Sequence, residues 1–334
     1  MGDSRIADEA FRQDHNSFPG DIMKAISIDL GGSHIKLAVV DNANILAADE
    51  ISVDYGAGLL PVLPVFKTII DKLLAKLEMR AADCAGLAMG FAAMVDRSTG
   101  RVVSTNGKFE DATGIDLPGW CQTQFGIPFG LENDARMALL GEWYAGAAQG
   151  VDDAVMITLG TGIGGAAMAG GKLFRTKQVQ GGTLGGHIPV LFTGRQCTCG
   201  AIGCMEAEAA GWSLPLVAKE WPGIERSRLS KVERVDFRSV FEFAREGDSI
   251  ATAIRDRCLH VWAVGTVGLI HMYGPARVII GGGVMRSADV IIPYIQEYVR
   301  KHAWTPSGTV EIVPATLGND AGLLGAVPLL SEIQ

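Results

Sequence analysis

Apolar and polar positions along the chain switch between two periods. Lys24–Leu30 and Ile35–Val40 are short β-branched runs, and the glycines between them predict a strand–turn–strand hairpin. From Leu59 to Glu78 the apolar residues recur at helical spacing, with Pro61 and Pro64 near the start, where a first turn tolerates them. Cys84–Gly90 reads as a buried strand, Phe91–Gly100 as a loop and hairpin, and Val102–Asn106 as a short edge segment. A strand ends at Leu131 and a helix begins at or after Asn133. Asp152–Gly170 repeats the opening theme of strand, glycine turn and strand about 130 residues later. A helix starts at Glu208, residues 220–250 read as a charged, irregular excursion, and Ala251–Tyr273 as a long, mostly apolar helix. Val278–Gly281 is a strand, Val290–His302 a helix, Val310–Val313 a strand, and Gly318 opens a closing helix. Residues 1–22 carry no structural period and read as a flexible extension. The alternation of strands and helices predicts an α/β fold, and the two similar hairpins suggest a duplicated domain with a cleft between the halves.

Composition narrows the class. A chain of 334 residues, 48% hydrophobic and 20% charged, has room for about two domains at roughly 150 residues each. Forty-three glycines beside five tyrosines and six tryptophans indicate many tight turns. A net charge of −8 and a pI near 5.3 argue against a nucleic-acid surface. No stretch reaches the roughly 20 apolar residues of a membrane span, and the polar, acidic start shows no signal-peptide pattern. A cytoplasmic protein is expected, and six cysteines fit a reducing compartment better than a disulfide framework.

Four stretches carry candidate chemistry. The turn after Asp29 (Gly31, Gly32, Ser33) and the turn at Gly160, Thr161, Gly162 and Gly164 can each present backbone N–H groups to phosphate oxygens, and Asp29 can hold Mg²⁺. A plain hairpin turn is the competing reading of the first. Neither matches the P-loop spacing, and a strand-like run, not a helix, follows the second, which excludes a dinucleotide fingerprint. Glu132-Asn133-Asp134-Ala135 marks a strand–helix corner, where Asp134 is either a capping residue or a general base held on a rigid mount. His187 lies ten residues before Cys197, and Cys199 and Cys204 follow, interleaved with Gly200 and Gly203. Three thiolates and an imidazole can close a tetrahedral shell around one structural zinc; a disulfide or unconnected buried thiols is the alternative.

His187 with C-x-C-G-x-x-G-C-x-E resembles the zinc signature of the ROK family of bacterial sugar kinases and related repressors. E-N-D-A and the closing G-N-D-A-G-L-L-G-A resemble two further family segments, so the likeness runs from Lys24 to the C-terminus. It implies a duplicated actin-like (ribonuclease H-like) two-domain sugar kinase fold, with residues 23–132 in one domain, 133–314 in the other, and a helix near 315–334 packing back on the first. It implies ATP-dependent phosphorylation of a sugar hydroxyl, commonly the 6-OH, with Asp134 as base. Asn106, Asn133, His187 and Glu206 would shape the sugar site, Lys36 would join the nucleotide group, and Gly281, Gly282 and Gly283 would lie against adenosine. A homodimer is implied as well. The alternative is a non-catalytic sugar-binding or regulatory ROK protein. The repressor class needs a DNA-binding module before the first phosphate turn, for which the 28 residues ahead of Asp29 are too few and too acidic. Asp29, Asp134 and both glycine turns speak against a binding-only protein. Two departures stand out. Leu184 occupies the place of a family glutamate that bonds sugar hydroxyls, and Gly90-Phe91-Ala92-Ala93 lacks the proline and last glycine of the usual hinge loop.

Overall fold

The computed structural model describes residues 23–333 apart from 32, 33, 53 and 106, so the expected extension at 1–22 and the candidate residues Gly32, Ser33 and Asn106 lie outside the described residues. Two five-stranded sheets organise the rest. In the first, β1 (Lys24–Leu30), β2 (Ile35–Asp41), β3 (Asn44–Ile51), β4 (Leu87–Phe91) and β7 (Phe129–Asn133) lie in the order β3-β2-β1-β4-β7. In the second, β8 (Ala154–Leu159), β9 (Ile163–Ala169), β10 (Lys172–Leu173), β11 (Arg277–Gly281) and β12 (Glu311–Pro314) lie in the order β10-β9-β8-β11-β12. Both begin with an antiparallel meander and add two parallel strands. The topologies are the same, as a duplicated unit requires. Asp29 on β1 stands beside Gly90, and the corresponding Thr158 on β8 stands beside Gly281. A two-stranded hairpin, β5 (Met94–Asp96) with β6 (Arg101–Ser104), leaves the first sheet beyond β4.

Helices cover both sheets. α1 (Leu63–Lys76) begins four residues later than the periodicity indicates, because Leu59 and Leu60 donate their N–H groups to the Asp111 carboxylate instead. α2 (Leu117–Phe125) is an addition, started by Asp116 at its N-cap. Between the sheets lie α3 (Asp134–Ala145) and the C-terminal pair α9 (Ala321–Leu324) and α10 (Ala326–Ser331). Their side chains share one core with Ala25, Ala38 and Ala88 of the first sheet and Met156, Ala166 and Ile279 of the second.

The outer face of the second sheet differs from the sequence reading. The helix expected from Glu208 is two, α4 (Met205–Ala209) and α5 (Leu214–Lys219), separated where the Ser213 hydroxyl accepts from Ala210 N–H and donates to the carbonyl of Glu206. The supposedly irregular 220–250 holds α6 (Phe237–Arg245), closed by a capping box of Asp236 and Ser239 and buried through Val240, Phe241 and Ala244. α7 (Ser249–Tyr273) packs against it, capped by Asp248, and α8 (Ala288–His302) completes the layer. Among the described residues no helix is long and apolar enough to cross a membrane.

Candidate active site

The corner at Asn133 is built by capping. Asn133 leaves the strand with extended backbone, and its side-chain oxygen accepts from the N–H groups of Ala135 (3.1 Å) and Arg136 (3.3 Å). Its amide nitrogen donates to the Ala93 carbonyl (3.3 Å) and to Asp134 Oδ1 (3.0 Å), so one residue starts the helix and aims the neighbouring carboxylate. Beneath it, the fully buried Glu132 pairs with Arg136 (3.3 Å) and Arg175 (2.8 Å), and Arg175 and Arg97 both reach Glu332 (2.8 and 2.9 Å). Removing one partner of such a buried pair costs about 3–5 kcal/mol, so the mount is stiff. Capping and a chemical role for Asp134 are therefore compatible.

Asp29 shares this space. Burial, then the charge of Asp134, push its carboxyl up to about 7, against the pull of Lys36. Burial also raises Asp134, while the Ala135 N–H, the charge of Lys108 and the Asn133 amide pull it back. Lys36 Nζ donates to the Asn319 carbonyl and to Asp320 Oδ1, both at 3.3 Å. Gly322 lies so close to Asp29 that a Cβ there would stand 2.7 Å from its Oδ2. The closing G-N-D-A-G segment thus seats the first phosphate-binding candidate.

Across the cleft, Gly160 N–H donates to the Gly162 carbonyl (3.0 Å) and Gly164 N–H to Thr158 Oγ1 (3.2 Å). Gly282 adopts φ +94°, and a Cβ there would meet the Leu159 carbonyl at 2.3 Å, so the 281–283 turn closes directly over the end of β8. Glu206 is buried, with Oε2 accepting from Ile163 N–H (2.8 Å) and Oε1 from the Trp212 indole (3.2 Å). His187 Nε2 stands 4.0 Å from the same Oε1.

The ligand atoms of His187, Cys197, Cys199 and Cys204 all lie within 4.8 Å of one another. Cys199 and Cys204 sulfurs are 3.7 Å apart and His187 Nδ1 is 3.3 Å from the Cys197 sulfur. A tetrahedral ion with metal–sulfur bonds of about 2.3 Å would separate sulfurs by roughly 3.8 Å. These four residues fit one such ion, and all six cysteines are free. Leu184 is half-buried just before the short turn carrying His187, and its carbonyl accepts from His187 N–H (2.9 Å).

The sequence reading passed over two residues. Lys108 lies near enough to Asp134 for its charge to count, with its ammonium 4.6 Å above the ring of Tyr55. The Tyr55 hydroxyl in turn donates to the Gly31 carbonyl (3.3 Å). Nothing local marks either residue; the Phe109 N–H donates to the Tyr55 carbonyl (3.2 Å), which sets Lys108 and its neighbours beside Tyr55.

A glycine turn after β8, with half-buried carboxylates at the end of β1 and the start of α3 on a duplicated α/β scaffold, suits a class built for holding phosphates. A family model described as ROK family matches residues 25–333, and the chain belongs to that family. A glucokinase of Thermotoga maritima is 33% identical over 93% of this chain and 98% of its own length. Among solved structures, a ROK family glucokinase from Streptomyces griseus in complex with glucose and AMPPNP is 30% identical with a TM-score of 0.73, covering 92% of this chain and 98% of that one. A ROK hexokinase from Thermus thermophilus is 28% identical with a TM-score of 0.74, covering 93% and 98%. The actin-like two-domain fold expected from the sequence is the one these neighbours share.

Proposed function

We propose that this protein is an ATP-dependent sugar kinase acting on a hexose or hexose derivative, with Asp134 as general base. The observation that carries it is the Asn133–Asp134 corner: a half-buried carboxylate, its pKa raised by desolvation, fixed in direction by the Asn133 amide and close enough to Asp29 for its charge to count. The likeness to glucokinases along nearly the whole chain supports the same reading. Asp134 takes the proton from the attacking hydroxyl, commonly the 6-OH, as that oxygen approaches the γ-phosphate in line. Backbone N–H groups of the turn at 31–33 and those of Thr161 and Gly162 hold the phosphates, Gly160 and Gly164 shape the second turn through bonds within the protein, and Gly281–Gly283 border the adenosine. Asp29 would hold Mg²⁺, whose charge offsets that of the phosphates, with Lys36 beside it. Asn106, Asn133, His187 and Glu206 shape the sugar side. His187, Cys197, Cys199 and Cys204 would hold a structural zinc, with no coordination position left for chemistry. Closure of the two domains, 23–132 with the C-terminal helices and 133–314, excludes water. The working form we propose is a cytoplasmic homodimer, as family membership implies.

Leu184 bears on the choice of sugar. An aliphatic side chain accepts no hydrogen bond, so a sugar whose hydroxyl needs a partner there loses affinity. The preferred substrate is a sugar less polar than glucose around its anomeric end. A panel of hexoses, ketoses, amino sugars and N-acetyl sugars should give weak turnover of glucose, and Leu184→Glu should raise glucose kcat/KM at least tenfold relative to the preferred sugar. Wild-type turnover of glucose equal to that of every other sugar would end this reading.

A further inference from the structure

Trp212 touches each of the three parts of the site that the chain must hold in register. Its backbone N–H donates to the Thr161 carbonyl (2.9 Å), and the preceding Gly211 N–H donates to the Gly160 carbonyl (2.9 Å). Its indole N–H donates to Glu206 Oε1 (3.2 Å), while Glu206 Oε2 accepts from Ile163 N–H (2.8 Å). Its ring packs on the small core of Cys197, Cys204 and Ala207 under the metal-binding loop. The bonds form a closed circuit: from the Trp212 backbone to Thr161, along the turn to Ile163, across to Glu206, and back through the indole. Ser213 fixes the backbone of this segment through the Glu206 carbonyl (3.1 Å), so the indole N–H is the link on which the circuit depends.

We propose that Trp212 is a positioning residue that couples the metal-binding loop, through the Glu206 carboxylate, to the phosphate turn at 160–163. Glu206 sits two residues after Cys204, in the first turn of α4, so its backbone follows the metal loop. Its two oxygens serve different partners, Ile163 and Trp212. With the indole bond in place, the carboxylate cannot rotate away from Ile163, and the turn keeps the N–H groups of Thr161 and Gly162 available to the nucleotide, those of Gly160, Ile163 and Gly164 being bonded within the protein. Without it, Glu206 has one anchor and the turn loosens.

The inference rests on the kinase reading, and the test separates the two. Trp212→Phe keeps the ring against the metal loop and deletes only the N–H. Calorimetric binding of AMPPNP with Mg²⁺ and steady-state turnover are compared for wild type, Trp212→Phe, Glu206→Gln and the double variant, with zinc content and Tm recorded for each. Trp212→Phe should weaken AMPPNP binding roughly tenfold, the scale of one lost hydrogen bond to a charged acceptor, with zinc content unchanged and the fold retained at a modestly lower Tm. In the Glu206→Gln background a single amide oxygen replaces two carboxylate oxygens and cannot serve both Ile163 N–H and the indole, so the circuit is already open and Trp212→Phe should add little. Unchanged AMPPNP affinity, additive effects in the double variant, or loss of zinc or of the folded state in Trp212→Phe would overturn the proposal. Wild type that binds AMPPNP yet transfers phosphate to no sugar would instead overturn the kinase reading and leave this coupling measurable.

Discussion

Asp29 and Asp134 approach from different elements, a strand end and a helix start, and the charge of Asp134, after burial, makes Asp29 harder to ionise. A carboxyl raised by folding holds its proton more tightly in the folded than in the unfolded chain. The contribution of Asp29 to stability is therefore present below its ordinary value of 3.8 and is lost as pH rises to about 7. Asp29→Asn should raise the Tm of the ligand-free protein, by a margin that grows between pH 4 and pH 7 and then levels off. Equal melting at pH 8 would contradict the burial of that charge. For Asp134 the sign matters to catalysis. Lys108 favours the ionised base, so Lys108→Met should move the acidic limb of the kcat/KM profile to higher pH, and Lys108→Arg should move it back. A profile unshifted in Lys108→Met would remove Lys108 from the site's electrostatics. Asp134 was legible in the sequence because capping is local: Asn133 and Asp134 sit where a strand gives way to an apolar helix. Lys108 was not, since its nearness to Asp134 depends on how residues 107–116 fold.

Elements show the same division. The two hairpins read clearly because β-branched runs flank glycines within a few residues of one another. α6 was hidden, because its nine residues bury three side chains and the stretch around it is charged. The closing glycine pattern was visible as a family likeness, and the packing supplies its physical cause. A Cβ on Gly325 would stand 2.2 Å from the Met137 carbonyl, and one on Gly141 would stand 2.0 Å from that of Ala321. α3 and α9 thus cross backbone to backbone, which keeps the Asp134 helix tight against the segment that seats Asp29. Gly325→Ala should cost about 1–3 kcal/mol through overpacking, read as a lower Tm. A melting curve matching wild type would mean that the crossing is looser than the contacts indicate.

At the scale of the molecule, two sheets of the same strand order enclose one helical layer, and the chemistry sits where their leading strands end. Thr158 takes the place in the second half that Asp29 holds in the first, so the halves share a topology but not a chemistry: the first carries the acid beside its own Lys36 and near Asp134, and the second offers its glycine turns. The sequence showed this duplication faintly, as two glycine turns about 130 residues apart, because the sheets share topology more than residues. It could not show the circuit through Trp212 and Glu206, which needs the metal loop and the second turn side by side. The most direct measurement is sugar-dependent ADP release from Mg-ATP across the sugar panel, run beside Asp134→Asn. We expect turnover with at least one hexose or hexose derivative, and a loss of about 10²–10⁴ in the variant with its fold intact. Turnover in Asp134→Asn at the wild-type rate, or none with any sugar in the wild type, would contradict phosphoryl transfer driven from the Asp134 corner.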